Sequence, residues 1–282
     1  MIKKLCVIGA GTMGAGIAQV AVESGIETTL RDVEDRFVQR GLNTIKTFVG
    51  KKLEKGKLNQ ADHDRIMDRL KGTRSMEEAV AGVDMVIEAV FEDMALKQGV
   101  FTELDRLCSK EVILSSNTST LSISKIASVT KNPQRVIGTH FFSPVPLMRL
   151  VEVIRGDHTG ESVVQSALEF CKAIGKTPIL AKDVPGFIVN RFLCLLYNEA
   201  ADQIYKGYAT PKDIDLGLKL GSNHPRGPVE IMDMAGVDVV FNALKALYEM
   251  TGEERYKPSP LIENMINENR LGRKTKRGFY EY

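Results

Sequence analysis

Cysteine is scarce in this chain. Four residues, Cys6, Cys108, Cys171 and Cys194, are scattered through 282 positions without a Cys-x-x-Cys pair. That spacing suits neither a zinc site nor a disulfide-dense secreted scaffold, and it favours a reducing compartment. Excess charge is missing too. With 38 basic residues against 36 acidic, the net charge of +2 gives no general pull toward nucleic acid or an anionic membrane. No apolar stretch approaches the roughly 20 residues of a membrane helix. Low-complexity tracts and repeats of about 20–50 residues are also absent. The expectation is a soluble, cytoplasmic, globular protein with no metal site, no nucleic-acid partner and no membrane partner. At 43% hydrophobic residues the chain can bury a full core, and its length suits two domains.

What is present begins with MIKKLCVIGAGTMGAGIAQVAVESG. A basic start before an apolar run could open a secretory signal peptide. Against that, Gly9, Gly11, Gly14 and Gly16 interrupt the apolar core and no small-residue cleavage site follows. The alternative is structural: a strand over Lys4–Ile8, a glycine turn, a helix to about Ser24 stopped by Gly25, and a strand over Thr28–Leu30 that delivers Asp32. Gly9 then permits the tight turn, Gly11 lets backbone approach a pyrophosphate, and Gly14 allows close helix–strand packing. Ala10, Thr12 and Met13 complete the turn and the helix N-terminus, whose open N–H groups and partial positive charge face the phosphates. The glycines alone are a weak signal; the ordered strand, turn, helix, strand and acid make it strong. Asp32 can accept hydrogen bonds from ribose hydroxyls and would oppose a 2′-phosphate, which favours NAD over NADP. Arg31 beside it softens that preference, and Asp32 also reads as a plain strand-end turn residue.

The first half continues as a doubly wound α/β pattern. Helical stretches cover Glu34–Lys55, Gln60–Leu70, Met94–Leu107 and Glu161–Ala173. Strands cover Asp84–Val90, Glu111–Ser116, Arg135–Phe142, Leu147–Arg155 and Thr177–Ala181. Ligands in such sheets sit beyond the carboxyl ends of the strands, near Glu92, Asn117–Thr120 and His140. The character changes at Asp183-Val184-Pro185-Gly186, so a dinucleotide-binding domain is expected over 1–183 and a helical domain over 184–282. Helices there cover Phe187–Lys206, Pro211–Leu220, Val229–Met250 and Leu261–Asn269.

A nicotinamide enzyme acting on an alcohol needs a base for the hydroxyl proton. Among four histidines, only His140 ends an apolar strand of the first domain; His63, His158 and His224 fall on a polar helix, in a turn and in a loop. A histidine in that position can equally be a packed residue with a satisfied ring. Glu152, in LVEVI, shares strand parity with Leu150 and Ile154, so it points into an apolar face and needs a partner. Arg149, Arg155 or His140 would serve. A tight hairpin through Ser143-Pro144-Val145-Pro146 would not put residue 140 opposite 152, so the pairing stays open.

Taken together, GAGTMGAGIAQV, VIEAVFEDMALK, SNTSTLSI, GTHFFSPVPLMRLVEVI, VPGFIVNR and NHPRGP resemble the L-3-hydroxyacyl-CoA dehydrogenase family over essentially the whole chain. The compact length is similar to the bacterial 3-hydroxybutyryl-CoA branch of that family. The resemblance implies His140 as catalytic base and Glu152 as its orienting carboxylate. It implies that Ser119 and Asn190 bind substrate near the reacting oxygen or the thioester carbonyl. Glu92, Lys97 and Lys274 would contact the cofactor, although each also reads as an ordinary surface charge, Ser119 as a helix cap and Asn190 as a solvent-facing position. Ser143 stands where the family has asparagine, a shorter side chain in a position that shapes the cofactor site. Lys51 and Lys55, four apart on one helix face, become candidates for the phosphates of a CoA thioester, with a solvated helix end as the alternative. The implied activity is NAD-dependent interconversion of an L-3-hydroxyacyl-CoA and its 3-ketoacyl-CoA, in a homodimer built through the helical domain. Two other functions share the architecture: a β-hydroxyacid dehydrogenase that does not use CoA, and a non-catalytic dinucleotide-binding protein such as the λ-crystallins. Having both His140 and Glu152 argues against the latter.

Overall fold

The computed structural model describes residues 1–282, which divide into two compact units, Met1–Val184 and Pro185–Tyr282. The first unit runs β1 (Lys4–Ile8), α1 (Thr12–Glu23), β2 (Glu27–Arg31), α2 (Asp35–Glu54), α3 (Gln60–Asp68), β3 (Leu70–Thr73) and α4 (Met76–Ala79). It continues through β4 (Met85–Glu88), α5 (Met94–Leu107), β5 (Ile113–Ser116), α6 (Ile123–Ala127), β6 (Val136–Phe141), β7 (Leu150–Arg155), α7 (Glu161–Ala173) and β8 (Thr177–Lys182). All eight strands join one sheet in the order β3-β2-β1-β4-β5-β6-β7-β8. Strands β3 to β6 are parallel neighbours, β7 is antiparallel to β6, and β8 is parallel to β7.

This order follows from burial. β1, β4, β5 and β6 are apolar or small at nearly every position and buried on both faces, so helices must cover both sides of the sheet. The chain leaves β1 toward β2 on one side and resumes at β4 on the other. A crevice therefore opens at the carboxyl ends of β1 and β4, the topological switch point of a doubly wound sheet. Side chains cap several helices at their starts: Asn59 for α3, Ser75 for α4, Asp93 for α5 and Ser122 for α6 each accept a backbone N–H. The first turn of α1 has no side-chain cap and no acidic residue.

The second unit consists of α8 (Val189–Tyr205), α9 (Pro211–Gly221), α10 (Pro228–Ala235), α11 (Val237–Thr251) and α12 (Pro260–Asn267). Its core joins Tyr197, Met232, Val240, Leu244, Leu247, Tyr256, Ile262 and Met265. Two buried carboxylates organise it. Asp215 accepts from the Val229 and Glu230 amides at the start of α10 and from the Tyr280 hydroxyl. Asp233 accepts from the amides of Phe279 and Tyr280 and so ties down the last residues of the chain. No helix is long and apolar enough to cross a membrane.

Several elements differ from the sequence-based expectation. The helix expected over Val229–Met250 is two helices, because Gly236 adopts φ +106° and ends the first of them. Residues 70–73 form an edge strand rather than the end of a helix; LKGT is too short and too polar to show a strand period. The strand expected from Glu111 begins at Ile113, and that expected from Leu147 begins at Leu150. This last difference matters. The β6–β7 connection runs from Phe142 to Arg149 and is no tight hairpin, so His140 pairs directly with Glu152 in the ladder.

Candidate active site

At the end of β1, Gly9 takes φ +101°, and a Cβ there would lie 2.5 Å from the Ala89 carbonyl oxygen beyond β4. A Cβ on Gly14 would lie 1.7 Å from the Gly9 carbonyl oxygen, so only glycine lets α1 pack this closely on the turn. Gly11 differs. Its backbone is in the ordinary extended region, and a Cβ would meet no protein atom within 4 Å. Nothing inside the fold demands glycine at 11, and the open side of the turn leaves room for a group to approach the backbone from outside. Together with the uncapped N–H groups of Thr12, Met13 and Gly14, this cradle fits a pyrophosphate. Asp32, just past β2, accepts from the Ala10 amide at 2.7 Å through Oδ2 and from the Val33 amide at 2.7 Å through Oδ1. The carboxylate is thereby held against the same turn, where a ribose diol would meet it. Arg31 directs its Nε to the Arg74 carbonyl. These residues fit an NAD molecule.

Three strands along from β1, His140 and Glu152 face each other across the β6–β7 ladder. Their Nδ1 and Oε2 atoms are 2.8 Å apart, with the His140 side chain 8% exposed and that of Glu152 0%. Neither Arg149 nor Arg155 takes Glu152; Arg155 pairs with Glu161 instead. The geometry orients the imidazole, since a carboxylate on Nδ1 makes Nε2 the nitrogen that exchanges a proton. The Phe142 ring lies 4.5 Å from the imidazole, tilted by 49°, and limits how the ring can turn.

Between these two features lies a charged cluster with a single organising logic. Lys97 on α5 is not a surface charge: its side chain is 1% exposed, and Nζ lies 2.7 Å from Glu88 Oε1 and 3.4 Å from Glu92 Oε2. Glu88, fully buried at the end of β4, also accepts from the Val90 amide and from the Ser116 hydroxyl of β5. Glu92 Oε1 receives the Thr118 hydroxyl at 2.6 Å, the Ser119 amide at 2.8 Å and the Thr120 amide at 3.0 Å, with the Ser119 and Thr120 hydroxyls slightly farther away. Burial disfavours the Glu92 charge, but Lys97 and these donors outweigh it and hold the carboxyl below the ordinary glutamate range. Glu92 thus clasps the loop that carries Ser119, and Asn117 in the same loop accepts the Phe141 amide next to His140.

Glu88 was missed in the sequence, whereas Asn117 was singled out only as part of the Asn117–Thr120 segment and without this role. The available signal for Glu88 was a lone carboxylate in the apolar run DMVIEAV, which needs a cation, and Lys97 follows on the next helix. Ser143 lies exposed in the loop after β6. Lys51 in the last turn of α2 and Lys55 at its C-cap are both exposed, whereas Lys52 between them is taken by Glu23. In the second unit, Asn190 is a half-buried residue in the first turn of α8, and the Lys274 ammonium pairs with Asp238. The first unit by itself therefore brings together the glycine turn, Asp32, Glu92, Lys97, Ser119, His140, Glu152 and Ser143 at one edge of the sheet.

Comparison with known proteins gives the family. The NAD-binding domain model of 3-hydroxyacyl-CoA dehydrogenase matches residues 4–184, and the C-terminal domain model of the same family matches residues 186–282. The chain is 42% identical over 281 residues to a protein of Bacillus subtilis named "Probable 3-hydroxybutyryl-CoA dehydrogenase", covering 100% of this chain and 98% of that one. It is also 42% identical over 279 residues to the 3-hydroxybutyryl-CoA dehydrogenase of Clostridioides difficile, covering 99% of each. Among solved structures, (S)-3-hydroxybutyryl-CoA dehydrogenase from Ralstonia eutropha superposes with a TM-score of 0.97 at 41% identity, covering 100% of this chain and 99% of that one. The chain belongs to the 3-hydroxyacyl-CoA dehydrogenase family, with the NAD-binding domain first and the helical domain second.

Proposed function

We propose that this NAD-dependent 3-hydroxyacyl-CoA dehydrogenase interconverts L-3-hydroxybutyryl-CoA and acetoacetyl-CoA, with His140 and Glu152 as its acid–base pair. The observation that carries the reading is the buried 2.8 Å contact between His140 Nδ1 and Glu152 Oε2 at the cofactor edge of the sheet. NADH, when bound, supplies the hydride for the keto carbon. His140 delivers the proton from Nε2 to the ketone oxygen, and in the reverse direction it removes the hydroxyl proton. Glu152 holds the ring with Nδ1 protonated and stabilises the imidazolium whenever it forms. Ser119, set by the Glu92 clasp, and Asn190 orient the substrate oxygens. Gly9 through Gly14 and Asp32 hold the dinucleotide, while Glu92, Lys97, Ser143 and Lys274 shape the cofactor site.

Lys51 and Lys55 give the end of α2 a basic face for the CoA phosphates. Exposed apolar side chains on the helical unit, among them Phe192 at 71% and Leu220 at 78%, support assembly of a homodimer through that unit. The four cysteines are all free thiols, which suits the reducing cytoplasm. The test is oxidation of NADH with acetoacetyl-CoA, followed at 340 nm, against NADPH and against 3-keto acids lacking CoA. Turnover with the free acids and none with the thioester would overturn the reading.

A further inference from the structure

Lys176 has no place in the chemistry above, yet it is an unusual residue. It is 8% exposed, and its ammonium donates to two backbone carbonyls, those of Val145 and Met148, the latter at 2.8 Å. Both belong to the Phe142–Arg149 connection that follows His140 and carries Ser143. The topology explains how a residue so far along the chain arrives there. β7 and β8 run against the direction of the parallel strands, so the start of β8 lies at the same sheet edge as the ends of β1, β4, β5 and β6. Lys176 immediately precedes β8, and the Thr177 amide donates to the Arg149 carbonyl.

A second contact holds the same loop from the opposite side. Val145 is 2% exposed, and a Cβ built on Gly16 of α1 would lie 2.9 Å from the Val145 Cβ. The loop therefore rests directly on the helix whose N-terminus faces the dinucleotide phosphates. Inside the loop, the Leu147 and Met148 amides both donate to the Pro144 carbonyl, so the segment is one compact turn. A cation that satisfies two carbonyls of a turn fixes it more firmly than either hydrogen bond alone. Burial disfavours the ammonium and lowers its pKa, the Glu23 carboxylate opposes that shift, and the two carbonyls supply its hydrogen bonds.

We propose that Lys176 is a positioning residue for the dehydrogenase reaction: it clamps the Phe142–Arg149 loop onto α1 and so sets Ser143 for the cofactor. The proposal rests on the reading of Ser143 as a cofactor contact. In Lys176→Met the side chain keeps its length and loses its donors, and the loop relaxes away from α1. The NADH dissociation constant, measured by titrating NADH fluorescence with the intact protein, is expected to rise about tenfold, the scale of one misplaced hydrogen bond. The KM for acetoacetyl-CoA stays within about twofold, a split that general destabilisation would not produce. Lys176→Arg, which keeps the charge and the donors, restores most of the affinity.

Ser143→Ala is measured separately and in combination. If the clamp acts through Ser143, the double variant binds NADH no more weakly than the worse single variant. The proposal is overturned by a folded Lys176→Met protein with unchanged NADH affinity, or by losses that multiply in the double variant. Normal NADH binding by Ser143→Ala alone would instead remove Ser143 from the cofactor site. Should Lys176→Met not fold, Gly16→Ala pushes on Val145 from the other side and must weaken NADH in the same selective way; unchanged NADH affinity in that variant overturns the clamp.

Discussion

Replacing His140 by glutamine removes the proton-transfer group while sparing the fold, and the structure says why glutamine is the right choice. Glu152 is fully buried and accepts from His140 at 2.8 Å. His140→Ala would strip a buried carboxylate of that partner, a change that costs about 3–5 kcal/mol and confuses instability with lost catalysis. Glutamine keeps an N–H donor for Glu152 and cannot titrate. Turnover of acetoacetyl-CoA should then fall by roughly 10²–10⁴, the usual worth of general acid–base catalysis, while NADH binding and the melting temperature change little. Glu152→Gln preserves an acceptor for Nδ1–H and removes the charge. Opposite charges roughly 4 Å apart at an effective dielectric of about 20 interact by about 4 kcal/mol, so loss of imidazolium stabilisation lowers turnover by at most about a thousandfold. The two side chains act as one unit, and the double variant should be far less impaired than the product of the single losses. The assay is steady-state NADH oxidation, with circular dichroism and NADH titration on each variant. Near-normal turnover by a folded His140→Gln protein would refute the acid–base assignment.

Three further outcomes follow from particular contacts. Gly14→Ala places a methyl where the Gly9 carbonyl stands and should cost several kcal/mol in urea unfolding, whereas Gly11→Ala should change stability by less than about 0.5 kcal/mol and still weaken NADH about tenfold or more; a Gly11→Ala protein that binds NADH normally would contradict the pyrophosphate cradle. Replacing Lys51 and Lys55 together by alanine should raise the KM for acetoacetyl-CoA and flatten its dependence on salt without changing NADH binding, and equal loss for both ligands would point to misfolding. Because the Glu92 carboxyl is held below the ordinary range in the folded state, its contribution to stability is complete above the ordinary value near pH 4.5 and disappears as pH falls through the lowered value. The stability gap between wild type and Glu92→Gln should therefore be level from about pH 8 to 5 and close below that; a gap that widens on acidification would refute the clasp.

The dinucleotide fold was legible in the sequence because its signals are local. Gly9, Gly11 and Gly14, the apolar strand before them and Asp32 after the next strand act within about thirty residues, and each answers a backbone or charge requirement that holds in any tertiary context. The joint expected between residues 183 and 184 rested on local signals too, Pro185 and Gly186, and the compact units divide at Val184 and Pro185. Segments with weak local preference were not: LKGT became an edge strand only because β2 offered it a ladder, and Gly236 broke a helix whose apolar period continues across it. The site divides along the same line. Composition and strand parity singled out His140 as a candidate base and Glu152 as a buried acid in need of a partner, but their meeting depends on the length of the Phe142–Arg149 connection, which sets the antiparallel register. Glu88, Glu92 and Lys97 lie on a strand, a loop and a helix in succession, and the close β4–α5 connection brings them together, whereas Lys176 reaches the Phe142–Arg149 loop only because β7 and β8 run against the parallel strands. A buried charge announces that it needs a partner. Which partner it finds is decided by the tertiary fold, because only packing brings distant segments within hydrogen-bond reach.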